Sequence, residues 1–153
     1  MTLDPFVQKN SRSFSNLIFA ILVVSIAGLV YIQSLLGHGP VAIGLQIAAV
    51  LLMVWARITF GARSFHYAAN PTEGGLVTSG PYRFVRHPIY SAILLFVWTG
   101  VAANLTPVSF LLATVVTAML VLRIALEEPL VRQRYPEYAD YARRTKRVIP
   151  FIL

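Results

Sequence analysis

The chain contains no cysteine. That absence excludes a disulfide framework, a thiol nucleophile, a zinc–thiolate centre and a cysteine-ligated iron–sulfur cluster. Charge is scarce as well: 12% of the 153 residues are Asp, Glu, Lys or Arg, where soluble domains average about 25%. Too little polar surface is left to cover a globule in water, which excludes a soluble globular enzyme. Disorder is excluded by the opposite test, since 57% of the residues are hydrophobic and the mean hydropathy is +0.68. Acidic residues are the rarest charges, six against thirteen Lys and Arg. A net charge of +7 on so apolar a chain suits an anionic membrane surface better than nucleic acid. The length predicts one domain, 1–153.

What the chain has in abundance is long apolar runs. Residues 17–36 match the roughly 20 needed to cross about 30 Å of hydrocarbon. Gly37-His38-Gly39-Pro40 breaks that run, and 41–59 forms a second, with Trp55 and Arg57 placed near its end as interfacial anchors. A shorter third run covers 89–103, and 108–126 follows Asn104-Leu105-Thr106-Pro107 as the fourth. The first run is too long, and starts too far in, for a cleavable signal peptide. Lys9, Arg12, Arg63, Arg83, Arg86 and the six basic residues from Arg132 to Arg147 all fall on one side of a four-span arrangement. The two short connections on the other side hold no Lys or Arg. This segregation predicts cytoplasmic termini and a cytoplasmic central loop. The expected fold is all-α: four membrane helices, a cytoplasmic loop over 63–90, and an amphipathic helix in the tail, 127–153. Eleven arginines against two lysines point to a GC-rich bacterial source and hence a bacterial inner membrane.

Polar residues gather in that loop and in the stretch 123–147, both abutting span ends, so the two can form one pocket at the bilayer surface. Leu76-Val77-Thr78-Ser79 reads as an extended piece before a Gly80-Pro81 turn. Pro88 suits a first helical turn, where its missing N–H costs nothing. Arg123 and Glu127 share a helix face at i, i+4 spacing, while Glu128 is rotated away. The fourth helix is expected to run to about residue 135 and to carry this acidic pair out to the interface. Pro136 then permits a new helix start ahead of Tyr138 and Tyr141.

In order, Gly80-Pro81-Tyr82-Arg83, Arg86-His87-Pro88-x-Tyr90, Arg123-x-x-x-Glu127-Glu128, Glu137-Tyr138-x-x-Tyr141 and Ile149-Pro150 resemble the isoprenylcysteine carboxyl methyltransferase family. The related phospholipid N-methyltransferases share the Arg-His-Pro-x-Tyr and Glu-Glu elements. The resemblance covers 76–153, and the N-terminal half is generic membrane helix. One departure is Ala92, where the family commonly has Gly, leaving less room for backbone approach to a ligand. The resemblance implies an integral membrane enzyme that uses S-adenosylmethionine as methyl donor and a lipid or lipophilic acceptor. It places Leu76, Val77, Tyr82, His87, Pro88, Ile89, Tyr90 and Glu127 around the cofactor, and Arg123 as the catalytic residue that holds the acceptor's carboxylate. No Gly-x-Gly-x-x-Gly follows a strand, so a Rossmann site is excluded, and Glu73-Gly74-Gly75 reads as a loop. No metal site and no nucleic-acid partner are expected.

Each of these residues has a plainer reading. His87 can be a helix-capping histidine; Tyr82 and Tyr90 can belong to an interfacial aromatic belt. Arg123 and Glu127 can be a simple intrahelical ion pair contributing about 0.3–0.5 kcal/mol. Glu128 reads as a solvated or tail-pairing charge, and Arg86 as a contact to lipid phosphate. Chemistry tilts the acceptor toward a carboxylate, which is ionised at neutral pH and needs no base. An amine with a pKa of about 10.4 arrives protonated and does need one. Two readings of other classes compete: a small four-helix transporter, and a non-enzymatic assembly subunit. The first two spans lack the mid-membrane carboxylate that proton-coupled export requires, and an assembly subunit gives no reason for the ordered polar set.

Overall fold

The computed structural model describes residues 5–61 and 75–149, with side chains from Ser13 onward. Arg63, Glu73, Gly74, Pro150 and the first part of the 63–90 loop lie outside the described residues. Among the described residues five helices follow one another: α1 (Pro5–Tyr31), α2 (Gly39–Phe60), α3 (Pro88–Ala103), α4 (Pro107–Arg134) and the short α5 (Tyr138–Arg144), with a 3-10 turn at Gly80–Arg83. Among the described residues there is no strand, only a parallel bridge between Val85 and Lys146.

Three of the helices are long and apolar enough to cross a membrane, over Ser13–Tyr31, Gly39–Phe60 and Pro107–Arg134. α3, at 16 residues, is about 24 Å long at 1.5 Å per residue, short of a 30 Å core. Their outward faces carry Val24, Val41, Leu51, Ile58 and Leu111, all well exposed, as befits helices whose solvent is hydrocarbon.

The first helix ends five residues before the apolar run does. Gln33 takes φ 55°, Ser34 N donates to Leu29 O at 2.9 Å and Gln33 N to Val30 O at 2.9 Å. This pair of bonds closes the helix C-terminus in the Schellman pattern; residues 32–36 are therefore a turn rather than the last turn of a span. α4 begins with a capping box in which Thr106 and Ser109 satisfy each other's backbone N–H groups. It continues through Pro129, whose ring removes one backbone donor, and at 28 residues it is about 42 Å long.

α1 packs along α4 and α2 along α3, while α3 and α4 meet over a shorter stretch. Leu22, Leu29, Val97, Val101, Ala113, Val116 and Leu120 form the buried core. At one end of the bundle, Gln46 is buried and satisfies the backbone of the α1–α2 turn. It accepts from Gly37 N at 3.0 Å and donates to Leu35 O at 2.8 Å. Asn104 Nδ2 donates to Leu36 O at 2.7 Å beside it. The 3-10 turn, the start of α3, the end of α4 and α5 lie together at the opposite end, where the polar residues collect.

Candidate functional site

The turn that opens this end depends on Gly80. Its φ is +57°, and a Cβ there would stand 2.6 Å from Thr59 Oγ1, so the left-handed conformation and the close approach both call for glycine. Tyr82 is buried with its ring 5.5 Å from that of Phe60, and its carbonyl accepts from Tyr141 Oη at 2.6 Å. Burial raises the pKa of the Tyr82 phenol and pushes that of Tyr141 up to about 12, so both hydroxyls stay protonated at neutral pH. Leu76 and Val77 are half-buried in the irregular segment that leads into the turn. Pro88 is fully buried in the first turn of α3 and Ile89 is half-buried beside it.

His87 occupies the N-cap position of α3, yet its side chain makes no capping bond, against the helix-capping alternative. Its ring instead stacks on Tyr90, with centroids 5.4 Å apart and planes 2° from parallel. Tyr90 Oη donates to Glu127 Oε1 at 2.6 Å and accepts from Arg123 Nε at 3.1 Å. Arg123 Nη2 reaches the same carboxylate oxygen at 2.9 Å. His87 Nδ1 lies 3.8 Å from Glu127 Oε2. Four residues that the sequence singled out, His87, Tyr90, Arg123 and Glu127, thus form one cluster where α3 meets α4. Tyr82 sits apart, against the end of α2.

The Arg123–Glu127 pair is not a surface pair: the two side chains are 7% and 18% exposed. Removing one partner of such a pair strands a charge, at a cost of about 3–5 kcal/mol for a fully buried case. α1 adds a wall that sequence reading missed, since the Arg123 guanidinium lies 5.9 Å from the centroid of the Phe19 ring. No local motif marks Phe19; only the register of α1 against α4 brings it there.

Two expectations are corrected. Glu128 is not a solvated charge: it is buried, accepting from Arg86 Nε at 2.8 Å and from Arg147 Nε at 3.2 Å, with Tyr138 packed close enough for its phenol pKa to be raised mainly by burial and then by the Glu128 charge. The tail-pairing half of that expectation holds, through Arg147. Arg86 is not left to lipid phosphate. Besides Glu128 it donates to Ala142 O at 3.0 Å and to Thr145 O. The reason is angular: Glu128 lies one helical step, about 100°, from Glu127, and so faces the tail that folds back beside residues 84–91.

These residues fit an organic cation with polar ends. The stacked His87–Tyr90 pair offers an aromatic platform, Glu127 a carboxylate, and His87 Nε2 is buried without a hydrogen-bond partner, 3.6 Å from Glu128 Oε1. Among the described residues no group of three or more His, Asp or Glu side chains is placed to hold a metal ion.

Fold and site together define a helical membrane protein with a half-buried cluster of polar and aromatic side chains at one end of its bundle. The chain belongs to the phospholipid methyltransferase family, which it matches over residues 37–138, from the end of the α1–α2 turn to the start of α5. It is 35% identical over 85 residues to the cobalt-zinc-cadmium resistance protein CzcN of Cupriavidus metallidurans, covering 55% of this chain and 39% of that one. The nickel-cobalt-cadmium resistance protein NccN of Alcaligenes xylosoxydans xylosoxydans is 36% identical over 85 residues, 55% of this chain and 40% of that one. The chain thus matches about two fifths of the length of these curated relatives. No solved structure matches it.

Proposed function

We propose that this protein is an integral membrane methyltransferase that uses S-adenosylmethionine and modifies a lipophilic acceptor at the cytoplasmic face of a bacterial inner membrane. The observation that carries this reading is the His87–Tyr90–Glu127–Arg123 cluster, assembled from two distant motifs at one end of a membrane-type bundle. Glu127 takes the cationic amino-acid end of the cofactor, His87 Nε2 provides a donor for its polar groups, and Tyr90 presents an aromatic face to positive charge, worth about 0.5–2 kcal/mol. Leu76, Val77, Pro88 and Ile89 complete the wall, and Tyr82, packed on Phe60, supports the turn that carries them. The bound cofactor supplies an activated methyl group. The chain's own contribution is alignment and exclusion of water, which is where most of the catalysis of such a transfer resides.

In the reading we favour, Arg123 holds the acceptor's carboxylate, and the product is a methyl ester. A second reading, N-methylation of an amine headgroup, is favoured by the family's description and by one distance: Arg123 is already balanced by Glu127 at 2.9 Å. All four of α1–α4 cross the membrane in this account, with α3 shielded by its neighbours, and both termini and the 63–90 loop face the cytoplasm. The relatives' names speak of metal resistance in those proteins; a lipid or envelope methylation that lowers metal entry would connect the two. Calorimetric titration of detergent-purified protein with S-adenosylhomocysteine tests the cofactor assignment. Binding supports the enzyme, and its absence in well-folded protein favours the transporter or assembly alternatives.

A further inference from the structure

The reaction just described has no use for Arg86 or Glu128, yet their side chains are each only 9% exposed. Burying two charges this far demands several partners, and they have them. Arg86 binds Glu128 through Nε at 2.8 Å, and its Nη1 caps two carbonyls at the end of α5, those of Ala142 and Thr145. Such carbonyls have no partner inside their own helix. The other Glu128 oxygen takes Arg147 Nε. Between these contacts residues 145–148 run as a strap, parallel to the start of the site. Arg86 N donates to Lys146 O at 2.8 Å, His87 N to Arg147 O at 2.9 Å, and Ser91 Oγ to Val148 O at 2.5 Å. The strap therefore holds the backbone of His87, while Glu128 sits 3.6 Å from its ring nitrogen.

A seven-residue helix and a single bridge have little stability of their own. Their docking depends on what anchors them, and the charged anchors are Arg86 and Glu128, beside the buried Tyr138 ring and the Tyr141 bond to Tyr82 O. The strap lies beyond the family match, which ends at residue 138, whereas Arg86 and Glu128 lie within it.

We propose that Arg86 and Glu128 are positioning residues that couple docking of the strap, residues 145–148, to assembly of the pocket around His87. This rests on the reading of His87, Tyr90 and Glu127 as the cofactor site. Docked, the strap fixes the His87 backbone so that its ring meets Tyr90 and Glu127. Released, it takes away the acceptor for the His87 amide and the cap of α5 together. Coupling is reciprocal, so a ligand that needs the assembled pocket also holds the strap in place.

The test uses the full chain in detergent micelles with two readouts: hydrogen exchange of the peptide carrying the Arg86 and His87 amides, and the affinity for S-adenosylhomocysteine. Arg86→Lys keeps the charge beside Glu128 but loses the planar fork that reaches α5; Glu128→Gln removes the shared acceptor charge. Each is expected to release the strap in most molecules, bringing exchange of that peptide close to the unprotected rate and weakening binding by roughly tenfold or more, since only the docked fraction binds. Arg147→Gln, at a side chain 53% exposed, should move both readouts by less than about threefold. Glu127→Gln provides the contrast, weakening binding with exchange at Arg86 and His87 unchanged. In wild type, S-adenosylhomocysteine should slow that exchange. Should the variants at the buried pair fail to insert, Lys146→Pro carries the same test. It removes the strap's own amide donor to Phe84 O, 3.5 Å away, fixes φ at that position, and should likewise speed exchange and weaken binding.

Exchange close to the unprotected rate with wild-type affinity overturns the coupling. Weaker binding with unchanged exchange also overturns it, by showing direct contact with the ligand, and so does no change in either. A wild-type protein that binds no S-adenosylhomocysteine refutes the cofactor reading itself and removes the coupling with it, a failure visible before any variant is made.

Discussion

Replacing Glu127 by Gln removes one negative charge and leaves the shape of the side chain. In the native site its Oε1 accepts from Tyr90 Oη at 2.6 Å and from Arg123 Nη2 at 2.9 Å. Bonds to a charged group contribute about 1.5–3 kcal/mol each and neutral ones about 0.5–1.5. Neutralising the acceptor therefore turns the Tyr90 bond into a neutral one, a loss of about 1–1.5 kcal/mol, while the Arg123 bond keeps its charged donor. Arg123, 7% exposed, then keeps a charge that nothing balances as well. For a fully buried pair the total cost is about 3–5 kcal/mol, and the 18% exposure of Glu127 places this pair at the low end, near 3. On the ligand side, losing a charge-assisted bond to the cofactor's ammonium group costs about 1.5–3 kcal/mol, or a roughly 10- to 150-fold weaker Kd. Titration with S-adenosylhomocysteine in one detergent, for wild type, Glu127→Gln and Arg123→Ala, reads this directly. Arg123→Ala keeps the Glu127 charge and its Tyr90 bond, so its cofactor affinity should fall by less than about tenfold while acceptor turnover disappears. A folded Glu127→Gln protein with a Kd within about threefold of wild type would refute the assignment and leave the pair a structural one.

Three further outcomes are expected. His87→Ala and Tyr90→Ala should each abolish S-adenosylhomocysteine binding with helicity intact, whereas Tyr90→Phe, which keeps the stack on His87 but not the hydroxyl, should bind more weakly without losing binding; near-wild-type affinity in both alanine variants would reduce them to belt residues. Single cysteines at Gly39 and Thr106 should react with an impermeant maleimide from outside intact cells and a cysteine at Ser79 should not, with no native thiol to confuse the result; external labelling at Ser79 would overturn the topology. Gly100→Ala should lower the midpoint of thermal unfolding in detergent, because a Cβ there falls 1.9 Å from Leu35 O and overpacking costs about 1–3 kcal/mol or more. Gly44→Ala, with nothing within 4 Å of its Cβ, should be neutral or stabilising, and equal midpoints for the two would contradict the close approach of α3 to the α1–α2 turn.

Apolar runs and Gly-Pro breaks write the helices directly into the chain, which is why α2 and α3 begin and end within two residues of expectation. The end of α1 is not legible in the same way, because an apolar run continues past Tyr31 while a left-handed Gln33 closes the helix. Nothing in the side chain of a glutamine announces that conformation. At the site, the residues that meet within one helix or one motif, Arg123 with Glu127 and His87 with Tyr90, can be paired from spacing. Arg86 with Glu128, separated by 42 positions, cannot, and a charge read alone near an interface looks solvated. The strap is hidden for a similar reason: three of its bonds run from backbone to backbone and carry no residue signature. Phe19 lies in the half of the chain that carries no motif at all.

The central claim is methyl transfer, and it is tested most directly by supplying S-adenosylmethionine with a labelled methyl group to membranes that contain the protein. Label is expected in the lipid-extractable fraction with wild type and none with His87→Ala. Release of that label by mild alkali as volatile methanol marks a methyl ester and favours the carboxylate acceptor; label that stays non-volatile after the same treatment marks the amine. Equal incorporation with wild type and His87→Ala, or none with wild-type protein shown to be folded and to bind S-adenosylhomocysteine across a range of membrane lipids, would contradict that claim.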